Sequence, residues 1–299
     1  MTAPATERRG FVNGCRRVLT AVFMKAADAR GAGFARRCVW LLRAAILPVV
    51  VLAGCTTTKS TSTPRPSIIW TADAGTDGRS AWHGFQSPPG RLRITDDPAG
   101  LYGKVYLAYL LNGDTWSGDG TARAEFYGTD LPNDTYLTYV EGSDYFFGWR
   151  SMISRGGYYS GSGNLGNLVQ FKGDSDCGGP AVGLTFENGR VTLRSEESGT
   201  FWEGPMASNF AGSWHSFVVH IHFSTGPTTG FVELWLDGVP QTFTDGTQHH
   251  VMATMCPADS YEYLKMGFYR GTKITGYGDG YHWIDTPRLG TSYGAVVPR

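Results

Sequence analysis

The chain has 299 residues, of which 41 are glycine, 13% are aromatic and only 17% are charged. This composition excludes a disordered or collagen-like protein, because aromatic and apolar residues are frequent enough to build a core. The length permits one large all-β domain or two small ones. The formal net charge is zero, but the charges are unevenly distributed along the chain.

The first 54 residues have the pattern of an export signal. Basic residues precede an apolar run from Val39 to Ala53, and the run ends in Leu-Ala-Gly before Cys55. This arrangement is typical of exported proteins, and the run is too short and too interrupted for a comfortable membrane span. The ending also resembles a bacterial lipobox, in which the cysteine is lipidated and becomes the new N-terminus. An uncleaved signal anchor is the alternative.

These features predict three segments: an export signal of lipoprotein type over 1–54, a Thr/Ser/Pro tether over 55–67, and one globular domain over 68–299. Lipidation at Cys55 would anchor the domain in a membrane and place it outside the cytoplasm, on a bacterial cell envelope. Residues 1–54 carry nine Lys and Arg and two Asp and Glu, so 17 basic and 24 acidic residues remain, a net charge of −7. This charge argues against a nucleic-acid partner. A polyanionic ligand would require positive groups concentrated in one groove.

Two cysteines, Cys177 and Cys256, lie beyond the predicted signal and lipidation site. Cysteines in an exported domain most often pair, so we predict a Cys177–Cys256 disulfide. Neither cysteine lies in a CxxC pattern or near a patterned histidine. We therefore predict no metal site.

From Ile68 onward the sequence consists of short apolar or alternating runs, separated by Gly, Asp, Asn and Pro. Roughly a dozen such runs read as strands, and no amphipathic helix stands out. Asn188-Gly189 and Asp237-Gly238 are typical of tight hairpin turns. The pattern predicts an all-β fold, a β-jelly-roll (concanavalin-like) sandwich of two curved antiparallel sheets, in a protein that we expect to be monomeric.

Three of the predicted strands carry reactive polar groups on a single face. Alternate residues of a strand point to opposite sides of the sheet, so residues two apart share a face. The groups that share a face are Arg123 with Glu125, Gln170 with Lys172, and Tyr263 with Lys265, Gly267 and Tyr269. A groove for an anionic or sugar-like ligand would have such a face. A surface ion pair and solvated strand faces are the alternatives.

In this order and spacing, the three segments resemble the polysaccharide lyases with a β-jelly-roll fold. The heparin-lyase-like and glucuronan-lyase-like group is the closest match, and the jelly-roll alginate lyases are more distant. Alginate lyases carry an Arg-x-Glu strand, a Gln-x-His strand and a Tyr-Phe-Lys-x-Gly-x-Tyr strand. The counterparts here are residues 123–125, 170–172 and 263–269, and the segments 214–238 and 281–285 resemble a central hairpin and a closing strand of the same superfamily.

The resemblance implies β-elimination of a uronic-acid polysaccharide. In this chemistry the substrate carboxylate is neutralised, a base removes the neighbouring C5 proton, and an acid protonates the leaving glycosidic oxygen. By the match, Gln170 and Arg123 would hold the carboxylate, and Tyr269 would be the acid or both acid and base. The substrate-binding residues would be Lys265, Tyr263, Glu125 and Arg270. No metal or organic cofactor is required.

Lys172 departs from the alginate-lyase pattern, which has histidine at this position. A lysine can neutralise a carboxylate, but it is a poor base unless its pKa is strongly depressed. Three possibilities follow: Tyr269 performs both proton transfers, another histidine supplies the base, or the protein is a carbohydrate-binding envelope lipoprotein that does not cleave. If Tyr269 is the base, nearby Lys265, Lys172 and Arg123 are expected to lower its pKa from about 10.

Rival chemistries have weaker support in the sequence. Glycoside hydrolases of this fold class need paired carboxylates on one strand, and no such run occurs. A serine hydrolase would need a Gly-x-Ser-x-Gly elbow between a strand and a helix, which is also missing. His220 and His222 share a strand face and could contact a metal, but no third ligand is visible nearby, and a polar sheet face is the better explanation of the pair.

Overall fold

The alternating runs after Ile68 form two antiparallel sheets that pack face to face. In the computed structural model, the described residues are 67–131, 135–156, 166–175 and 177–299. The predicted export signal, the lipidation site Cys55 and most of the predicted tether lie outside these residues. Within them, no helix is both long enough and apolar enough to cross a membrane.

The described segments contain 17 strands, several of them only two to four residues long. The strands are β1 Ile68–Thr71, β2 Trp82–Gln86, β3 Leu92–Asp96, β4 Lys104–Leu110, β5 Ala122–Leu131, β6 Thr135–Leu137, β7 Asp144–Ile153, β8 Gly166–Gly173, β9 Val182–Glu187, β10 Arg190–Ser195, β11 Gly199–Met206, β12 His215–His222, β13 Phe231–Leu236, β14 Val239–Pro240, β15 His250–Val251, β16 Glu262–Gly271 and β17 Gly280–Gly290. The helices are a 3-10 turn at Gly78–Ala81, α1 at Ala207–Phe210 and α2 at Tyr293–Val296.

One sheet has nine strands, in the order β14-β13-β12-β7-β17-β4-β3, with β1 added to β17 and β15 to β13. The other has eight, in the order β11-β10-β9-β8-β16-β5-β2, with β6 added to β5. The predicted all-β jelly-roll is therefore confirmed. The three strands with polar faces are neighbours: β16 lies between β8 and β5 in the eight-stranded sheet.

Both predicted hairpin turns are present. Asn188 and Gly189 have φ values of 51° and 76° between β9 and β10, and Asp237 and Gly238 have 51° and 78° between β13 and β14. Positive φ at both central residues matches the right-handed twist of the paired strands, and Asn, Asp and Gly tolerate it best. The local sequence thus fixes these two strand pairings.

Large apolar side chains fill the space between the sheets. Trp202, Tyr139, Phe126, Phe217 and Phe268 are each buried to 2% exposure or less. Aromatic rings meet mostly edge to face, as between Tyr139 and Phe147 at 5.2 Å between centroids, a geometry that aromatic quadrupoles favour. This core holds the back of β16 rigidly, since Leu264, Met266 and Phe268 all point into it.

The predicted disulfide is also present. Cys177 and Cys256 are bonded, with Cα atoms 6.4 Å apart and 79 positions apart in sequence. The bond ties the segment after β8 to the segment before β16, the two central strands of the eight-stranded sheet.

Removing this cross-link should cost substantial stability. Replacing both cysteines (Cys177→Ser with Cys256→Ser) should lower the free energy of unfolding by about 4 kcal/mol, because a closed loop of this length restricts the unfolded chain. Guanidinium unfolding of the double variant, compared with the oxidised wild type, measures the difference. Equal unfolding midpoints would show that the bond contributes nothing to stability.

Candidate active site

A cavity of about 460 Å³ opens on the side of the eight-stranded sheet that faces away from the core. Among the described residues, its walls carry six cationic side chains and one carboxylate, that of Glu196. The cations are Arg123, Lys172, Arg194, Lys265, Arg270 and Lys273. The cavity is therefore locally positive, although residues 55–299 as a whole carry a net charge of −7. A cavity with one sign of charge raises the local concentration of anionic ligands.

Six predicted site residues line this one cavity: Arg123, Gln170, Lys172, Lys265, Tyr269 and Arg270. Strand register brings them together, because Lys265 pairs with Gln170 on one side and Tyr269 pairs with Arg123 on the other. Residues that are 95 and 146 positions apart in the sequence therefore become neighbours.

Arg123 is held in place by several acceptors. Its Nε donates to Thr121 Oγ1 at 2.7 Å, one terminal nitrogen donates to Gln86 Oε1 at 2.8 Å, and the other pairs with Asp119 at 2.6 Å. These contacts use three of its five N–H bonds. The guanidinium also lies 4.6 Å from the centre of the Tyr269 ring. Arg123 is thus oriented toward Tyr269 with N–H groups left for a ligand.

Glu125 lies beneath the cavity and does not line it. It is 1% exposed; one carboxylate oxygen accepts a hydrogen bond from Gln170 Nε2, and the other lies 3.3 Å from Lys265 Nζ. The expectation that Glu125 contacts substrate is therefore wrong, since both oxygens are engaged inside the protein. Its carboxylate instead fixes Gln170 and Lys265.

Gln170 has a defined orientation because a carboxylate can only accept hydrogen bonds. Its amide nitrogen must face Glu125, and its Oε1 then accepts from Asn167 Nδ2 at 3.2 Å. The second amide N–H of Gln170 is left for a ligand. Asn167 Oδ1 has no hydrogen-bond partner within the described segments. The two amides present a donor and an acceptor at the cavity.

Lys265 is 4% exposed, and this burial lowers the pKa of its ammonium, an effect that the charge of Glu125 opposes. Besides Glu125, its Nζ contacts Gln86 Oε1 at 2.6 Å. Gln86 thus accepts from both Lys265 and Arg123. The result is a connected polar network under the cavity, in which each cation has an oxygen partner.

Burial raises the pKa of the Tyr269 phenol above its ordinary value of 10.0, although the Arg123 charge acts in the opposite direction. The expectation that neighbouring cations lower this pKa is therefore wrong for the unliganded protein, because desolvation of the phenolate outweighs their attraction. At neutral pH the phenol is protonated, the state that a proton donor needs.

Tyr263 and Arg270 occupy different surroundings. Tyr263 lies beyond the cavity, among Tyr127, Tyr136 and Tyr261, with ring centroids 6.0–6.5 Å from its own. Burial raises the pKa of Tyr263 to about 12. Arg270 does line the cavity, but its guanidinium donates to Gly278 O at 2.9 Å and lies over the Phe268 ring.

Lys172 reaches the cavity wall and donates to Ser175 O at 3.1 Å. No histidine is among the described residues that line the cavity. Both ring nitrogens of His220 contact carboxylates, those of Glu233 and Asp144, at 2.8 Å. These contacts belong to a polar face of the nine-stranded sheet, so the His220 and His222 strand carries no base for the cavity.

The sequence reading missed three residues of the site: Gln86, Asn167 and Arg194. Gln86 is on β2, where the sequence carries no distinguishing pattern. Asn167 is three positions from Gln170, so strict alternation would place it on the opposite face. Register shifts in both pairings of β8 bring it to the cavity. Arg194 is on β10, and pairing with Gly183, itself opposite Gln170, brings it alongside.

A jelly-roll sandwich with an open, cation-lined cavity and a half-buried tyrosine on one sheet is suited to binding acidic glycans. The polysaccharide lyase family model matches residues 74–288, and the chain belongs to this family. The family assignment makes it a polysaccharide lyase. A comparison with curated protein sequences finds no match.

Solved structures of alginate lyases are similar to this chain at low identity. Alginate lyase Aly36B has 15% identity and a TM-score of 0.46, with 75% of this chain and 92% of that chain covered. The PL7 alginate lyase AlyA1 from Zobellia galactanivorans has 17% identity and a TM-score of 0.43, covering 62% and 76%. The alginate lyase from Corynebacterium sp. has 10% identity and a TM-score of 0.43, covering 66% and 79%.

Proposed function

We propose that Tyr269 is both base and acid in the elimination, that Arg123 and Gln170 hold the substrate carboxylate, and that Asn167 orients Gln170. The main support for this proposal is that Tyr269 shares one cavity with these three polar side chains, while no histidine among the described residues lines the cavity. The cationic walls suit a polymer of anionic sugars.

The reaction proceeds without a net change in protons on the protein. Tyr269, as phenolate, removes the C5 proton of the uronate, and the electron pair forms the C4=C5 double bond while the C4–O bond breaks. The phenol then returns the proton to the leaving glycosidic oxygen. Arg123 and the free amide N–H of Gln170 stabilise charge that develops on the carboxylate during proton removal, as fixed donors do in other active sites. Lys265 orients Glu125 and, through it, Gln170.

The first experiment measures cleavage by the full chain. Poly-glucuronate, alginate and heparin-like glycans are incubated with the protein, and the ultraviolet absorbance of the new double bond conjugated with the carboxylate is recorded. At least one uronate polymer should give a rising signal. Retained glycan binding with no absorbance change on any of them would contradict the assigned chemistry.

The pH dependence tests the identity of the base. Below the pKa of a required base, its ionised fraction rises about tenfold per pH unit. Because burial raises the pKa of Tyr269, kcat/KM should climb at this slope from neutral pH up to about 10. Initial rates at low substrate concentration measure the profile. A plateau reached below about pH 8 would show that a group with a lower pKa is the base.

Export and lipid attachment at Cys55 are part of the same proposal. The basic region, the apolar run and the Leu-Ala-Gly-Cys sequence support a lipid-anchored, monomeric enzyme on a bacterial cell envelope, with residues 55–67 as a tether to the domain at 68–299. In bacterial cells grown with a labelled fatty acid, the wild type should carry label and a Cys55→Ala variant should not. Label retained in the variant would contradict lipidation at this cysteine.

A further inference from the structure

His282 connects the two sheets across the interior. It belongs to β17 of the nine-stranded sheet and is 0% exposed. Its Nδ1 lies 2.7 Å from the carbonyl oxygen of Gly267 on β16, in the opposite sheet. A carbonyl only accepts hydrogen bonds, so Nδ1 carries the proton and donates it. Gly267 stands between Lys265 and Tyr269 on the strand that forms the cavity floor.

The other ring nitrogen of His282 is fixed as well. Ser151 Oγ lies 2.9 Å from Nε2, and Trp149 Nε1 donates to the same Ser151 Oγ at 2.9 Å. The serine hydroxyl therefore accepts from Trp149 and donates to His282. Burial lowers the pKa of His282 to about 4, which keeps the ring neutral at neutral pH. The three side chains form a directed chain of hydrogen bonds that ends on Gly267.

Gly267 lies where the pairing of β16 is irregular. Met266 pairs with Val169, but the next pair is Tyr269 with Asn167. Three residue positions along β16 are therefore matched by only two along β8. An unbroken ladder would set Tyr269 opposite Gly166. On its other side β16 keeps a regular register with β5 from Lys265 to Tyr269, and a Cβ at Gly267 would lie 2.1 Å from Ala124 O. Only glycine permits this close approach.

The irregular step has a direct consequence for the cavity. It places Tyr269 beside Asn167, whose amide contacts Gln170. A bulge of this kind redirects side chains and leaves backbone groups that need other partners. His282 supplies such a partner from the opposite sheet, at the residue where the step begins.

We propose that His282 is a positioning residue of the lyase: by holding the Gly267 carbonyl, it fixes the irregular step of β16 that aligns Tyr269 with Asn167 and Gln170. The inference rests on the proposed role of Tyr269. His282 touches no substrate, since it is enclosed between the sheets. Its effect on the reaction is geometric, and displacement of a catalytic group by about 1 Å can reduce the rate about 100-fold.

Two variants of His282 that lose different hydrogen bonds test the inference. His282→Leu removes both hydrogen bonds, whereas His282→Asn offers an amide N–H near the Nδ1 position and loses only the contact with Ser151. We expect kcat to fall about 100-fold in His282→Leu, with KM little changed, and to recover about tenfold in His282→Asn. Rates are measured at temperatures where unfolding curves show each variant to be folded. Ser151→Ala keeps the imidazole but removes its contact with the serine hydroxyl. It replaces the His282 variants in this test if one of them does not fold, and its kcat should lie between those of the wild type and His282→Leu.

Amide hydrogen exchange provides a readout that needs no substrate. Exchange across residues 266–270 should accelerate in His282→Leu and slow again in His282→Asn, while distant strands such as β12 stay unchanged. Wild-type kcat together with wild-type exchange in folded His282→Leu would overturn the inference. If the wild type cleaves no glycan, the proposed function fails, and the exchange data alone then decide whether His282 holds β16.

Discussion

Tyr269→Phe should lower kcat by about a thousandfold while leaving the protein folded. The substitution removes one oxygen atom, and a general acid or base contributes about 10²–10⁴ in rate. The aromatic ring remains, so its contact with the Arg123 guanidinium at 4.6 Å is retained. Glycan binding should therefore persist. The ultraviolet assay for the unsaturated uronate measures kcat, and an unfolding curve checks the fold.

Tyr263→Phe is the matched control. It makes the same chemical change six residues earlier on the same face of β16, but Tyr263 packs among Tyr127, Tyr136 and Tyr261 beyond the cavity. Its kcat should stay within a few-fold of the wild type. Full activity in Tyr269→Phe would refute the assignment of Tyr269. Equal losses in both variants would show that the phenols act through packing and not through proton transfer.

Glu125→Ala should lower the free energy of unfolding by about 3 kcal/mol or more. Removing one partner of a buried ion pair leaves an uncompensated charge and costs about 3–5 kcal/mol. Glu125 and Lys265 are 1% and 4% exposed, and the carboxylate also accepts from Gln170. The substitution thus leaves the buried Lys265 ammonium without its carboxylate and the buried Gln170 amide without its acceptor. Urea unfolding measures the loss.

Two further variants separate charge from shape. Glu125→Gln keeps the side-chain volume and one acceptor, so its loss of stability should be smaller than that of Glu125→Ala. Asp119→Asn removes a carboxylate from the more exposed pair with Arg123, where exposed ion pairs contribute about 0–1 kcal/mol. The expected order of stability is wild type and Asp119→Asn, then Glu125→Gln, then Glu125→Ala. An unchanged Glu125→Ala would contradict the buried network.

The alternation of β16 is where the sequence was most informative. A period of two follows from strand geometry alone, so it assigned Lys265 and Tyr269 to one face without any tertiary information. The hairpin turns at Asn188-Gly189 and Asp237-Gly238 were equally predictable from the sequence, because their backbone angles restrict which residues fit. The Cys177–Cys256 pair could be predicted because only two cysteines lie beyond the predicted signal and lipidation site.

Burial around the site could not be read from the chain. Arg123 and Glu125 read as an adjacent pair directed toward a ligand, yet Glu125 lies under the cavity. The pKa of Tyr269 was misjudged for the same reason. The cations expected beside Tyr269 suggested that its pKa would fall, but the desolvation that outweighs their attraction depends on how many atoms surround the phenol, and these come from distant segments.

By itself, the sequence determined an all-β sandwich, the face of β16 that bears Lys265 and Tyr269, the disulfide and the excess of acidic residues over 55–299. Only the tertiary structure decided that Gln86 and Asn167 join the site and that His282 reaches Gly267. Local patterns encode strand faces and turns because these depend on neighbouring residues. Register, bulges and contacts across the core depend on pairings between segments far apart in the chain. The alternation of residues within one strand does not predict these pairings.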